Sequence, residues 1–228
     1  MRSLRFALAA ASLIASTAFA SPTAPASGVE YITLAQPQPA QTVGKKVEVI
    51  EFFMYHCPAC NALEPSLAAW VKKQGDNVHF KRVHMPMQGA NDPEAHLYLT
   101  LEAMGKLEEM HPKVFCAFHV ERTRLNRDDA ILEWMPKQGI DKAKFLEYWN
   151  SFGVLSKLRR TQQVLAAYKV DSVPTLIVDG RYMTSPSVVG AAVKGATNAN
   201  VAQSTLQVVD ALVAKVQKDK GLVPAAKK

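Results

Sequence analysis

The sequence predicts an α/β fold in which a βαβ unit and a ββα unit complete one sheet around an inserted all-helical segment. Three observations carry this. An apolar run at residues 47–54 precedes apolar residues at helical spacing (Leu63, Leu67, Trp70, Val71), and a second strand-like run follows at 78–83. From Asn91 to about Ser151 every signal is helical. Strand signals then return at Pro174-Thr175-Leu176-Ile177-Val178, reverse at the turn pair Asp179-Gly180, and resume at Arg181-Tyr182-Met183.

Taken in order, residues 1–20 read as a signal peptide. Arg2 and Arg5 form a charged start, Phe6 to Ile14 an apolar core, and Ala18-Phe19-Ala20 a small-x-small cleavage site. The apolar run falls short of the ~20 residues that a membrane span requires. An uncleaved signal that tethers the chain to a membrane is the rival reading. Residues 21–28 are rich in Pro, Ala and Ser and read as a flexible leader. Residues 31–34 form a short strand, and 47–54 a buried one. The helix that follows reaches about residue 74, with Pro65 expected to kink it. The strand at 78–83 should lie parallel to 47–54 by the right-handed crossover rule.

Within the insertion, Asn91-Asp92-Pro93 caps a helix that Gly105 ends. Pro112, Asp128 and Asp141 begin further helices, one of them closed by Gly139. Another helix covers 156–168. The last, at 200–218, buries Leu206, Val209, Val213 and Val216. The boundaries are therefore 29–88 and 157–228 for the sheet-forming domain and 89–156 for the insertion.

Cys57-Pro58-Ala59-Cys60 sits at the junction of the first buried strand and its helix. A Cys-x-x-Cys there is the thioredoxin-type redox arrangement, so the architecture reads as a thioredoxin fold with a helical insertion. Pro58 falls in the first helical turn, where a missing N–H costs nothing. The free N–H groups and dipole of that turn favour a thiolate on Cys57. Half of a zinc site and an inert staple are the other readings of the motif. Zinc needs two more ligands at short spacing, and Cys116 has no Cys neighbour. His79 and His84, five apart in a strand, point to opposite faces. No metal, flavin or nicotinamide motif is present, so no cofactor is expected.

The formal charge of +7 falls by two with Arg2 and Arg5, and the lysines are scattered. Nucleic-acid binding wants a clustered basic patch with a recognisable motif, and is excluded on that ground. Cys116 lies between Phe115 and Ala117-Phe118, which suggests a buried thiol acting as a small hydrophobe. A surface thiol open to mixed disulfides is the alternative.

Glu51-Phe52-Phe53, the cysteine motif, Val173-Pro174-Thr175, Asp179-Gly180-Arg181-Tyr182 and Trp149-Asn150-Ser151-Phe152 together resemble the DsbA family of periplasmic thiol:disulfide interchange proteins. The resemblance runs from about Tyr31 to the final helix. It implies that the Val173–Pro174 bond is cis and lies against the disulfide, exposing the Val173 backbone to an extended substrate. A trans proline opening a strand is the rival. It implies that Glu51, which shares a strand face with Val49 and Phe53, is buried below the cysteines. There it would have a raised pKa and shuttle a proton for Cys60, with Lys81 balancing its charge. A solvated edge glutamate is the plain alternative.

The sequence departs from the family's best-known Pro-His dipeptide. Ala59 supplies neither a donor nor a charge to the Cys57 thiolate. His56 restores some positive charge when protonated, or is an ordinary loop histidine. The implied function is an exported, monomeric, periplasmic disulfide oxidase that donates Cys57–Cys60 to unfolded or reduced exported proteins. A DsbB-like quinone-linked membrane oxidase would regenerate it. A disulfide isomerase or reductase of the same fold, or a holdase that binds unfolded chains, are the competing functions.

Overall fold

The computed structural model describes residues 21–42, 44–193 and 197–222, so the expected signal peptide lies outside the described residues. Five strands, β1 (Ile32–Thr33), β2 (Val47–Phe53), β3 (Val78–His84), β4 (Thr175–Val178) and β5 (Tyr182–Thr184), form one sheet in the order β1-β5-β4-β2-β3. β2 runs parallel to β3 and antiparallel to β4. Every residue of β2 is buried, as befits a strand paired on both sides and covered on both faces. The crossover from β2 to β3 is α1 (Pro58–Gln74), which continues through Pro65.

The β4–β5 hairpin turns at Asp179 and Gly180, both at positive φ (53° and 65°), which a primed turn requires. Gly180 has a second reason to be glycine. A Cβ there would stand 2.0 Å from the Gln38 carbonyl oxygen, because the 34–38 segment is laid across the turn and bonded to it through Gln38 N–H and Gly180 O.

Between β3 and β4 lie α2 (Pro93–Ala103), α3 (Leu107–His119), α4 (Asp128–Lys137), α5 (Lys142–Trp149) and α6 (Phe152–Tyr168). The Asp92 side chain caps α2 and Asp141 caps α5, as expected. Pro112 does not begin a helix. It sits inside α3, where it forfeits one backbone bond while Met110, His111, Val114 and Phe115 bury the helix on either side. α6 starts four residues ahead of expectation because Ser151 caps it through the Val154 N–H. After β5 come α7 (Pro186–Ala192), a helix the sequence reading lacked, and α8 (Asn198–Asp219), opened by a reciprocal Thr197–Asn200 capping box.

Three apolar cores result. Val47, Val49 and Val178 pack against Leu67 and Trp70 of α1 and against Leu206, Val209, Val213 and Val216 of α8. On the opposite face Ile50, Phe52 and Ile177 meet Leu165 and Tyr168 of α6. The third core is the insertion's own, and it reaches back to take in Phe53, Tyr55, Cys57 and Cys60. Each large side chain buried in these cores contributes roughly 1.5–3 kcal/mol. No helix among the described residues is long and apolar enough to cross a membrane.

Candidate active site

Cys57 is the N-cap of α1, with extended backbone (φ −77°, ψ 117°) and Pro58 as the first helical residue. Its Sγ accepts the Cys60 N–H at 3.3 Å, the part that a serine or aspartate oxygen plays at other helix starts. Both cysteines are free thiols here. Cys60 is fully buried, whereas Cys57 keeps a small exposed edge, at 7%. The Cys57 thiol also points at the Val173 carbonyl, 3.7 Å away, and the Val173–Pro174 peptide is cis. Residues 116 positions apart in the chain thus meet at one sulfur.

The two thiols are driven apart in acidity. Contact with the Cys60 thiol, then the Cys60 and Ala59 backbone N–H groups and the charge of His56, outweigh burial and bring Cys57 down to about 6. Ala59 is therefore not inert, because its main chain aids the thiolate although its side chain does not. The hydrogen bond to Cys57, then burial and the nearby Glu51, push Cys60 far up.

Below the sulfurs, Glu51 is completely buried and burial drives its pKa up to about 7 against the opposing pull of Arg82. Its partner is not Lys81. Arg82 Nε donates to Glu51 Oε2 at 2.8 Å, while Lys81 Nζ reaches Glu48 at 2.6 Å on the other face. Strand alternation explains the exchange: Glu51 stands opposite Arg82 in the parallel register, and Lys81 stands opposite Ile50. Arg82 also forks onto Glu64, through Nη2 at 2.8 and 2.9 Å, and His111 Nε2 lies 3.5 Å from Glu64. Burial raises Glu64, but His111 and Arg82 together hold it below the usual carboxylate range. Glu51 Oε1 is buried with no hydrogen-bond partner, so one oxygen is left free to take a proton.

His56 is not a plain loop histidine. Its Nδ1 lies 2.8 Å from both carboxylate oxygens of Glu94, and its backbone N–H donates to the same group at 3.3 Å. The hydrogen bond that His56 donates to Glu94 raises the His56 pKa. Burial pulls Glu94 upward, but His56 and His84 prevail and hold it at about 2. Glu94 and Glu64 were absent from the sequence reading. Glu64, seven residues after Cys57, shared a helix face with it; Glu94 meets His56 across 38 positions, which no local pattern announces. Cys116 is half-buried rather than buried, with Sγ 3.9 Å from Glu121, because it sits at the edge of the α3 face that Phe115 and Ala117 bury. His79 and His84 stand opposite Glu48 and Phe53, on different sheet faces as expected.

A family model described as the DSBA-like thioredoxin domain matches residues 94–207. The chain is 39% identical over 208 residues to the thiol:disulfide interchange protein DsbA of Burkholderia cepacia, covering 91% of this chain and 93% of that one. The chain belongs to the DsbA family. The DsbA of Bordetella parapertussis is 40% identical over 211 residues, covering 92% and 96%. The crystal structure of Pseudomonas aeruginosa DsbA superposes with a TM-score of 0.74 at 32% identity, covering 85% of this chain and 95% of that one. The expected thioredoxin fold with a helical insertion is the DsbA fold, and the chain is a thiol:disulfide oxidoreductase.

Proposed function

We propose that this DsbA-family chain is a disulfide donor whose Cys57–Cys60 bond is passed to reduced, unfolded exported proteins. The observation that carries the reading is the unlike placement of the two thiols. Cys57 caps α1 with an exposed edge and its Sγ accepts the Cys60 N–H at 3.3 Å, whereas Cys60 is fully buried, which lowers the one acidity and raises the other. A substrate thiolate attacks Cys57 Sγ, the Cys57–Cys60 bond breaks, and Cys60 leaves with the electron pair. Glu51, whose pKa burial raises to about 7, supplies the proton that Cys60 needs. A second substrate thiolate then attacks the substrate sulfur of the mixed disulfide and releases Cys57 as a thiolate. Two substrate thiols are oxidised and the cysteine pair is reduced by two electrons. Release is favoured because the Cys60 and Ala59 N–H groups and the His56 cation stabilise the leaving sulfur.

Pro58 presets the first turn so that those N–H groups face the sulfur. The Val173 backbone, beside Cys57 and ahead of Pro174, pairs with an extended substrate segment as an added strand. Residues 1–20 direct export to the periplasm, where the protein works as a monomer without a bound cofactor. A DsbB-like quinone-linked membrane oxidase returns Cys57 and Cys60 to the disulfide.

Cys57→Ser and Cys60→Ser variants incubated with a reduced substrate and run on non-reducing gels test the assignment. Cys57→Ser should abolish transfer, and Cys60→Ser should accumulate mixed disulfides. Trapping by the Cys57→Ser protein would reverse the two roles, and full activity without either cysteine would favour a holdase.

A further inference from the structure

We infer that Glu94 is a positioning residue for the redox reaction: from the first turn of α2 it holds His56 as a cation beside Cys57, so the helical insertion helps set the oxidising strength of the cysteine pair. The inference rests on the proposed role of Cys57 as the sulfur released as a thiolate. Its geometry is a three-point clamp. Both Glu94 oxygens lie 2.8 Å from His56 Nδ1, and Oε2 also accepts the His56 backbone N–H at 3.3 Å. The clamp is anchored on one side only. The Glu94 side chain is 7% exposed, whereas that of His56 is 44% exposed and would swing freely without it.

Among the charged and titratable neighbours, His56 makes the shortest contacts with Glu94. His84, on β3, stands farther off at 3.6 Å, and its Nε2 also accepts the Tyr55 N–H at 3.2 Å. Asp92, the α2 cap, is occupied by the N–H groups of Met87, Gln88 and Ala95. Cys57 itself faces His56 and gains from its charge. The contacts of Glu94 are with the His56 ring and N–H and with His84, so its effect on Cys57 runs through the adjacent His56. The arrangement places a cation next to Cys57 from the N-terminal side of the motif, in a chain whose Ala59 side chain offers none between the cysteines.

Glu94→Gln in the full mature chain is the test, because it keeps the shape and an acceptor oxygen while removing the charge. The readouts are the thiolate absorbance of the reduced protein against pH and the redox equilibrium with a glutathione buffer. Glu94→Gln should raise the Cys57 pKa and shift the equilibrium about three- to tenfold toward the disulfide, a weaker oxidant. His56→Ala should give a shift of the same sign and size, and the double variant no further shift. Glu94→Asp should recover part of the wild-type value. An unchanged or lowered Cys57 pKa in Glu94→Gln, or additive shifts in the double variant, overturns the inference. A wild-type chain that proves a weak oxidant overturns the donor reading instead, whatever the variants show.

Discussion

Changing pH should move the reduced protein relative to the oxidised one by the linkage of a single proton. Reduced Cys57 is held at about 6, against 9.0 for an unperturbed thiol. An acid with a depressed folded value stabilises the fold fully above its unfolded value, and the contribution is lost as pH falls through the folded value. Between these limits the reduced protein gains up to about 1.4 kcal/mol per pH unit over the oxidised one, which has no thiol to ionise. At pH 7 the gain is on the order of 1 kcal/mol. The disulfide acts the other way, since closing a loop of about four residues stabilises the oxidised protein by roughly 2 kcal/mol through its unfolded chain. The two effects cross between about pH 7 and 8. Glu51, raised to about 7, costs both forms stability as pH rises through 4.5 to 7, and so largely cancels in their difference. Thermal melts of both forms should show the gap in Tm moving toward the reduced protein by roughly 5 °C between about pH 5 and 8. A gap that stays constant across that range would refute the depressed Cys57 and, with it, the basis for disulfide donation.

Two further outcomes concern the buried charges. Glu51→Gln should lower single-turnover disulfide transfer on the order of a hundredfold and remove the rate's dependence on pH near 7, measured by stopped-flow with a model dithiol. An unchanged pH profile would show that Cys60 takes its proton elsewhere. Arg82→Met strands Glu51 and Glu64 without their shared cation and should cost about 3 kcal/mol at neutral pH by urea denaturation, with a smaller loss in acid as the carboxyls take up protons. An equal loss at both pH values would speak against that account.

The parts of the fold with strong periodicity were legible. β2, α1, β3 and α8 follow from apolar spacing, and the β4–β5 turn from Asp179-Gly180, because each is dictated by its own residues. α7 was not, since seven residues with Val189 as the buried one carry too little pattern. At the site, the cysteines could be placed from the motif, whereas the burial of Glu51 followed from the family resemblance and not from its place in β2. The partner of Glu51 required the register of β3. Lys81 and Arg82 are adjacent, and a slip of one residue moves a side chain to the opposite face, so the wrong cation was chosen. Glu94 was beyond reach for a different reason: it depends on where the insertion docks, and nothing around His56 encodes that.

The ring of Phe53 is met edge-on by Tyr55, His84, Tyr98 and His111, drawn from the turn after β2, from β3 and from two helices of the insertion. Because Cys57 and Cys60 belong to this same apolar cluster, the insertion is a wall of the reaction chamber and not an ornament on a self-sufficient scaffold. Excising 89–156 would leave a chain with all five strands but with Phe53 and Tyr55 uncovered, Arg82 opened to water, and the sulfurs in a solvent dielectric. In such a minimal protein the cysteines would titrate more like ordinary thiols, and the chemistry would fade before the sheet did.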